Sequence, residues 1–189
     1  MTGSSDGMRG GDRRFVVQKH DASTLHYDVR LEVGDVLVSW AVPKGPSTDP
    51  RQKRLAIRVD DHGMDALTFE GVVPEGDYGA GAVLVWDTGG YRDLRADKDG
   101  TPMEEALDEG LLEVWLEGEK LRGGWALKRT DDERWLLIKM DDEAADARRN
   151  PTSTEPLSVL TGRSLDEVRE EEAAGPEASR NRSEDGEPP

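Results

Sequence analysis

Residues 18–32 read QKHDASTLHYDVRLE, and the second half of this stretch alternates between apolar and polar side chains. Successive side chains of a β-strand point to opposite faces of the sheet, so the two sets are separated in space. The apolar set is predicted to face a core and consists of Leu25, Tyr27, Val29 and Leu31. The polar set consists of His26, Asp28, Arg30 and Glu32. The stretch therefore predicts a strand with one face packed in the core and the other face carrying candidate functional side chains.

Short runs of this kind recur from Phe15 to Met140 and are separated by turn residues. Tight turns are indicated at 33–35, 88–90 and 117–119, each of which contains glycine. Residues 101–104 (TPME) form a capping box with proline at the first helical position, which predicts one short helix near 102–109. The predicted strands are Phe15–Lys19, Leu25–Glu32, Leu37–Val42, Arg54–Val59, Phe69–Val73, Ala82–Asp87, Leu111–Leu116, Trp125–Thr130 and Arg134–Met140. Many strands with little helix between them predict a mainly all-β fold, an antiparallel sandwich or barrel.

The chain of 189 residues is long enough for one domain and a tail. Residues 1–12 are rich in Gly, Ser and Asp and are predicted to be disordered. The folded domain is expected at 13–146, and the polar, acidic segment 147–189 is expected to be a disordered linker or tail. Ser164 begins a second capping pattern, but little apolar surface is available to hold a helix there.

No apolar run approaches the roughly 20 residues of a membrane span, and the N-terminus lacks the apolar stretch of a signal peptide. The chain has no cysteine, which excludes disulfides and thiolate metal sites. We therefore expect a cytoplasmic protein without a membrane partner.

Net charge is −16, but it is unevenly distributed. Residues 9–58 carry ten Lys or Arg against six acids, whereas residues 141–189 carry fourteen acids against six bases. The local field near a site governs a polyanionic ligand more than net charge does. A nucleic-acid substrate is thus compatible with the basic region, with weak, salt-sensitive and sequence-independent binding.

All three histidines lie between positions 20 and 62, within this basic region. His20 can fold back beside His26 and Asp28 across the turn at 21–23. Two imidazoles and a carboxylate suit Mn²⁺, Zn²⁺ or Fe²⁺ and leave positions open for water and a substrate oxygen. A structural or merely exposed role is the alternative for each histidine taken alone, and for His62 in particular.

The sequence KRLAIRVDDH (53–62) repeats the alternation, with Leu55, Ile57 and Val59 predicted on one face. The other face is predicted to hold Arg54, Ala56, Arg58, Asp60 and His62. Arg54 and His62 lie about 26 Å apart along an extended strand, so they share a site only if the strand bends or His62 curls back. Lys44 follows a strand in a proline-glycine loop and can overhang a site, although Lys44, Arg54 and Arg58 also fit ordinary solvated charges.

Three long motifs resemble the 3′-phosphoesterase domain of bacterial multifunctional DNA ligase D and its free-standing versions. They are FVVQKHDASTLHYDVRLE (15–32), SWAVPKGPSTDPRQKRLAIRVDDH (39–62) and FEGVVPEGDYGAGAVLVWDTG (69–89). KLRGGWALKR (120–129) and RWLLIKMDDEAAD (134–146) fit as well, so the resemblance covers about residues 13–146. The family fold is a small antiparallel β-barrel.

The resemblance implies a metal-dependent hydrolase, typically using Mn²⁺ but also Zn²⁺ or Co²⁺, that heals 3′ ends of a DNA primer strand during end joining. Such nucleases remove a terminal 3′-ribonucleoside and then the 3′-phosphate. It implies that His20, His26 and Asp28 hold the metal and that Arg30 and His62 contact the scissile phosphate. Lys44 and Arg54 would assist at the phosphate, and Gln18 and Asp60 would support these residues. We expect a stand-alone protein that acts on primer-template ends, with a separate DNA ligase or other end-joining proteins as partners.

The chain departs from the family pattern at three positions and in its N-terminal arm. Ala66 stands where members commonly have tyrosine, Thr24 where they have arginine and Gly63 where they have proline. The basic and acidic arm that often precedes the domain is largely missing before Arg13. Two other functions therefore stay open: a catalytically weak module that binds DNA ends or a ligase, and a non-haem iron oxygenase built on the His-x-Asp pair.

Overall fold

The computed structural model describes residues 13–77 and 79–184, so the segment 1–12 predicted to be disordered lies outside the described residues. The strands are β1 (Arg13–Asp21), β2 (Leu25–Val33), β3 (Val36–Val42), β4 (Arg54–His62), β5 (Gly71–Val73), β6 (Gly81–Asp93), β7 (Leu111–Gly118), β8 (Arg122–Asp131) and β9 (Arg134–Lys139). The helices are a 3₁₀ helix (Met64–Thr68), α1 (Leu94–Asp99), α2 (Met103–Glu109), α3 (Pro151–Thr154) and α4 (Leu165–Glu184). All nine predicted strands and the helix near 102–109 are present.

Eight of the strands close into an antiparallel barrel. They neighbour one another in the order β1-β2-β3-β4-β9-β8-β7-β6, and β6 pairs back with β1. That closing pair runs from Arg13 opposite Tyr91 to Asp21 opposite Ala82. The prediction of a small antiparallel β-barrel is confirmed.

The barrel interior is filled by alternate residues of its strands. From β2 it receives Tyr27, Val29 and Leu31, as the alternation predicts, whereas Leu25 at the strand start is exposed. Tryptophans from β3 and β9, the two neighbours of β4, meet inside the barrel, where the rings of Trp40 and Trp135 stack edge to face with centroids 5.4 Å apart. Burial of these large side chains contributes much of the driving force for closure.

The outer face of β1, β2 and β3 is also buried in part, because residues 63–73, the covering segment, fold over it. A second cluster forms there from Val16, Leu37, Leu67 and Val85. Val159 packs against the same cluster from the C-terminal part of the chain. The polar residues of β2 therefore face a sheltered space rather than open solvent.

The turn predicted at 88–90 is wrong, because β6 continues through these residues as a strand. The first part of β6 pairs with β5 and its last part pairs with β7, so two strands pair with the same edge of β6. At Gly89 an added Cβ would lie 2.1 Å from the carbonyl oxygen of Glu117. Glycine is thus required for the close approach of β7 and not for a turn.

Residues 147–184 are more structured than their composition indicates. Ser164 and Glu167 form the capping box of α4, with the Glu167 amide donating to Ser164 Oγ at 3.1 Å. Val168 is fully buried in the main core, and Arg169 forms an ion pair with Asp21 at the end of β1. A few well-placed apolar residues are therefore enough to dock this acidic segment, although the domain boundary at 146 stays a prediction.

Among the described residues, none of the helices is both long enough and apolar enough to cross a membrane.

We expect Val168→Ala to lower the free energy of unfolding by about 2 kcal/mol, because it leaves a cavity in the core. Leu160→Ala, at a half-exposed position of the same segment, is the control and should cost clearly less. Urea denaturation followed by tryptophan fluorescence measures both. An unchanged midpoint for Val168→Ala would show that α4 is not part of the cooperative unit.

Candidate active site

The polar faces of β1 and β2 meet in one cleft on the outside of the barrel wall. Cross-strand partners share a face of the sheet, and His20 lies opposite His26 while Gln18 lies opposite Asp28. The covering segment forms the far wall with Asp65, Phe69 and Val73. The cleft has a volume of about 340 Å³, at the lower end of the usual size range of ligand sites.

His20, His26 and Asp28 form a cluster that can hold a metal ion. One ligand atom from each lies within 4.8 Å of the others. His20 Nδ1 is 3.3 Å from Asp28 Oδ2, and His26 Nε2 is 3.1 Å from Asp28 Oδ1. Ligand atoms about 2 Å from a common ion have separations of this order, so the predicted triad fits a divalent metal.

The backbone fixes which nitrogen of each histidine faces Asp28. His20 Nε2 lies 2.6 Å from the carbonyl oxygen of Gly79, and His26 Nδ1 lies 3.3 Å from that of Thr24. A carbonyl only accepts, so in the neutral rings these nitrogens carry the protons and the other two present lone pairs to Asp28. Two lone pairs and a carboxylate repel one another unless a cation lies among them. This outer support is the arrangement that orients histidine ligands in metal sites.

Charges in the cleft are shielded from solvent, since Asp28 and Arg30 are each only 6% exposed. Burial alone would raise the pKa of Asp28. When no metal is bound, hydrogen bonds that protonated His20 and His26 rings donate to it, together with the charge of Arg30, hold this pKa well below its usual range. The hydrogen bond to Asp28 raises the pKa of His26 despite partial burial. The lowered pKa of Asp28 and the raised pKa of His26 have one cause, the attraction between the Asp28 carboxylate and the positive groups around it.

Arg30 connects the metal cluster to the rest of the cleft. Its Nε donates to Gln18 Oε1 at 2.8 Å, and one terminal nitrogen donates to His62 Nδ1 at 3.0 Å. The other terminal nitrogen lies 3.5 Å from Asp28 Oδ2. The guanidinium is therefore held in one orientation beside the cluster.

His62 reaches the cleft because of a bulge in β4. Ser39 pairs with Val59 and Leu37 pairs with His62, so the two residues 60 and 61 oppose a single residue of β3. The extra residue reverses the alternation, and His62 faces the cleft together with Val59. Asp60 lies within the bulge, lines the cleft and brings its carbonyl oxygen to 3.0 Å from His62 Nδ1.

The predicted grouping of β4 fails at its C-terminal end, where the bulge puts His62 on the face of Val59 and not on that of Ala56. Ala56, grouped by sequence with His62, is fully buried in the barrel core, whereas Leu55 is largely exposed. Arg54 shares the face of Ala56, and its terminal nitrogen donates to Gln52 Oε1 at 3.2 Å. A regular alternation cannot anticipate an inserted residue.

The structure brings together seven of the nine residues predicted for the site: Gln18, His20, His26, Asp28, Arg30, Asp60 and His62. Lys44, exposed in the loop after β3, and Arg54 do not line the cleft as described. Their contact with a phosphate stays a prediction, as do the roles of the seven. Phe69 and Gly79 were not predicted from the sequence. Gly79 acts through its backbone carbonyl group, which every residue has, so the residue type gives no signal.

Comparison with known proteins identifies close relatives. The family of the DNA Ligase D 3′-phosphoesterase domain matches residues 18–129. Multifunctional non-homologous end joining protein LigD of Pseudomonas aeruginosa is 47% identical over 171 residues, which cover 87% of this chain and 20% of that protein. The protein of the same name from Mycolicibacterium smegmatis is 42% identical over 139 residues, covering 71% of this chain and 18% of its own length. The chain thus spans about a fifth of the length of these relatives.

We expect His26→Ala and Asp28→Ala to weaken Mn²⁺ binding at least about 10-fold, because each removes one of three protein ligands. Isothermal titration of the purified protein with the metal alone measures this. Asp65→Asn is the matched control, since Asp65 lines the cleft without belonging to the cluster, and its affinity should stay within about 2-fold of the unchanged protein. Equal loss in all three variants would contradict the assignment of the ligands.

Proposed function

Because the chain belongs to the family of the DNA ligase D 3′-phosphoesterase domain, we propose that it is a divalent-metal-dependent hydrolase that removes the 3′-phosphate from DNA ends. The observation that carries this proposal is the contact between Arg30 and the metal cluster. A fixed guanidinium lies 3.5 Å from Asp28 and 3.0 Å from His62 within one cleft. An anion clamp beside a cation site suits a phosphoryl group.

Charge at the metal-binding cluster favours an anionic over a neutral substrate. A divalent ion on the cluster together with Arg30, less the charge of Asp28, would leave two positive charges beside a bound phosphoryl group, and the carboxylates of Asp60 and Asp65 on the cleft wall would offset part of this field. This is the feature that disfavours the iron oxygenase alternative, whose co-substrate dioxygen is uncharged. The acidic remainder of the chain acts against tight binding of the duplex. Contacts between the basic region and DNA phosphates release counterions, so the affinity should fall with salt.

Each residue of the cleft has a defined task in this proposal. His20, His26 and Asp28 would hold the metal, which when bound would neutralise a phosphoryl oxygen and activate water. Arg30 has five N–H groups, of which three point to Gln18, His62 and Asp28. No hydrogen bond within the described part of the chain uses the remaining two, which in this proposal would hold phosphoryl oxygens.

His62 is suited to donate a proton. Nδ1 of His62 lies 3.0 Å from a donor, Arg30, and 3.0 Å from an acceptor, the carbonyl oxygen of Asp60. In the neutral tautomer that accepts from Arg30, the ring proton lies on Nε2. The ring lines the cleft, where Nε2–H can protonate the leaving oxygen or stabilise charge in the transition state.

The same groups would act on a phosphodiester, so we also propose removal of a 3′-terminal ribonucleoside from primer-template ends. We propose Mn²⁺ as the metal, with Zn²⁺ or Co²⁺ as substitutes, because all three accept imidazole and carboxylate ligands. A separate DNA ligase or other end-joining proteins would use the resulting 3′-OH. A cytoplasmic location stays a prediction.

We expect end-labelled primer-templates with a 3′-phosphate or a 3′-ribonucleotide to be trimmed in the presence of Mn²⁺. Arg30→Lys should lower kcat/KM about 100-fold, since lysine keeps the charge but lacks the paired N–H donors of the planar guanidinium. Arg129→Lys is the control, because Arg129 on β8 stacks on Trp135 and does not line the cleft, and should change the rate less than about 3-fold.

Tight binding of a tailed duplex without hydrolysis under any divalent metal would replace the proposal by the DNA-end-binding module. The absence of tyrosine at Ala66 is the sequence feature that motivates this second reading. Equal rates for Arg30→Lys and Arg129→Lys would contradict the assignment of Arg30 as the phosphate clamp.

A further inference from the structure

Glu70, within the covering segment, lies at the centre of a dense hydrogen-bond network. Its side chain is only 4% exposed. Val85 N donates to it at 2.9 Å, Thr161 Oγ1 at 2.8 Å and Arg163 at 3.0 Å, and the hydroxyl of Ser158 also donates to it. The carboxylate thus ties the covering segment both to β6 and to residues 158–163.

The neighbouring residue in the chain reaches into the active-site cleft. The carbonyl oxygen of Phe69 accepts from Gln18 Nε2 at 3.1 Å, and that of Ala66 accepts from the same nitrogen at 3.0 Å. The other end of the amide, Gln18 Oε1, accepts from Arg30 Nε. An unbroken path therefore runs from Arg163 through Glu70, Phe69 and Gln18 to Arg30.

The two carbonyls decide which way the Gln18 amide points. An amide side chain can rotate by 180°, which exchanges its oxygen for its NH₂ group. If the NH₂ group faced Arg30, two donors would oppose each other in a buried site. The carbonyls of Ala66 and Phe69 prevent this rotation as long as the covering segment is held in place.

We propose that Glu70 is a positioning residue for the Arg30 clamp, and that residues 158–163 hold the Glu70 carboxylate in place. Glu70 anchors the covering segment so that its carbonyls orient Gln18 and Gln18 orients the guanidinium. The acidic C-terminal segment then contributes to phosphate binding without contacting the substrate. This inference rests on the phosphate-clamping role of Arg30 in the proposed function.

A double-mutant cycle on kcat/KM for the 3′-phosphate primer tests the path. We expect Glu70→Gln to lower kcat/KM about 10-fold, mainly through KM, and Gln18→Ala to lower it about 10-fold or more. The double variant should be within about 2-fold of Gln18→Ala, because residues in one network are not additive. Multiplied losses would mean that Glu70 acts only on general stability and would overturn the inference.

Arg163→Gln supplies a second variant on the same path should Glu70→Gln fold poorly. Its expected loss has the same direction, and its far-ultraviolet circular dichroism should match the unchanged protein. Glu109→Gln is the matched control, because Glu109 pairs with Arg95 at 2.6 Å in a network that shares no residue with the cleft.

The Arg30 Nε–H signal in a ¹⁵N–¹H NMR spectrum is a readout that needs no turnover. We expect it to shift or broaden in Glu70→Gln and Arg163→Gln and to stay in place in Glu109→Gln. An unmoved signal in both path variants would overturn the inference. Absence of hydrolysis in the unchanged protein would instead reject the proposed function, and the NMR comparison would still decide the role of Glu70.

Discussion

A carboxylate buried on the outer wall of a β-barrel needs cations around it, and Asp28 is such a carboxylate. Desolvation opposes its charge, so its ionised form depends on the two histidines and Arg30. This requirement organises the cleft, because Arg30 is in turn oriented by Gln18, and the histidines by the carbonyls of Gly79 and Thr24. The chemistry of the site thus follows from satisfying one buried negative charge.

Much of this arrangement was predictable from local sequence. The alternation in β2 predicted both the core set and the set that faces the cleft, since side-chain direction in a regular strand depends only on position. His20 was predicted beside His26 because a hairpin returns the chain to its own neighbour. The resemblance to a known family supplied the closure into a barrel, which depends on the distant pairing of β1 with β6.

Other parts depend on long-range contacts and could not be predicted. The bulge in β4 adds one residue opposite Val38 and turns His62 toward the cleft, but DDH at 60–62 reads as an ordinary polar strand end. Likewise Val168 lies in a sequence that is acidic on average, and its burial depends on the surface it meets. Ala66 is informative in another way: its backbone oxygen serves Gln18 whatever side chain it carries, so the departure from the family pattern leaves this support intact.

Odd-numbered and even-numbered residues of β2 have separate roles. Tyr27, Val29 and Leu31 serve the interior, whereas His26, Asp28 and Arg30 serve the cleft. Natural variation at odd positions is therefore free to tune thermal tolerance, and variation at even positions to tune chemistry, with little interference between them. A wall of this kind can evolve two traits along a single stretch of nine residues.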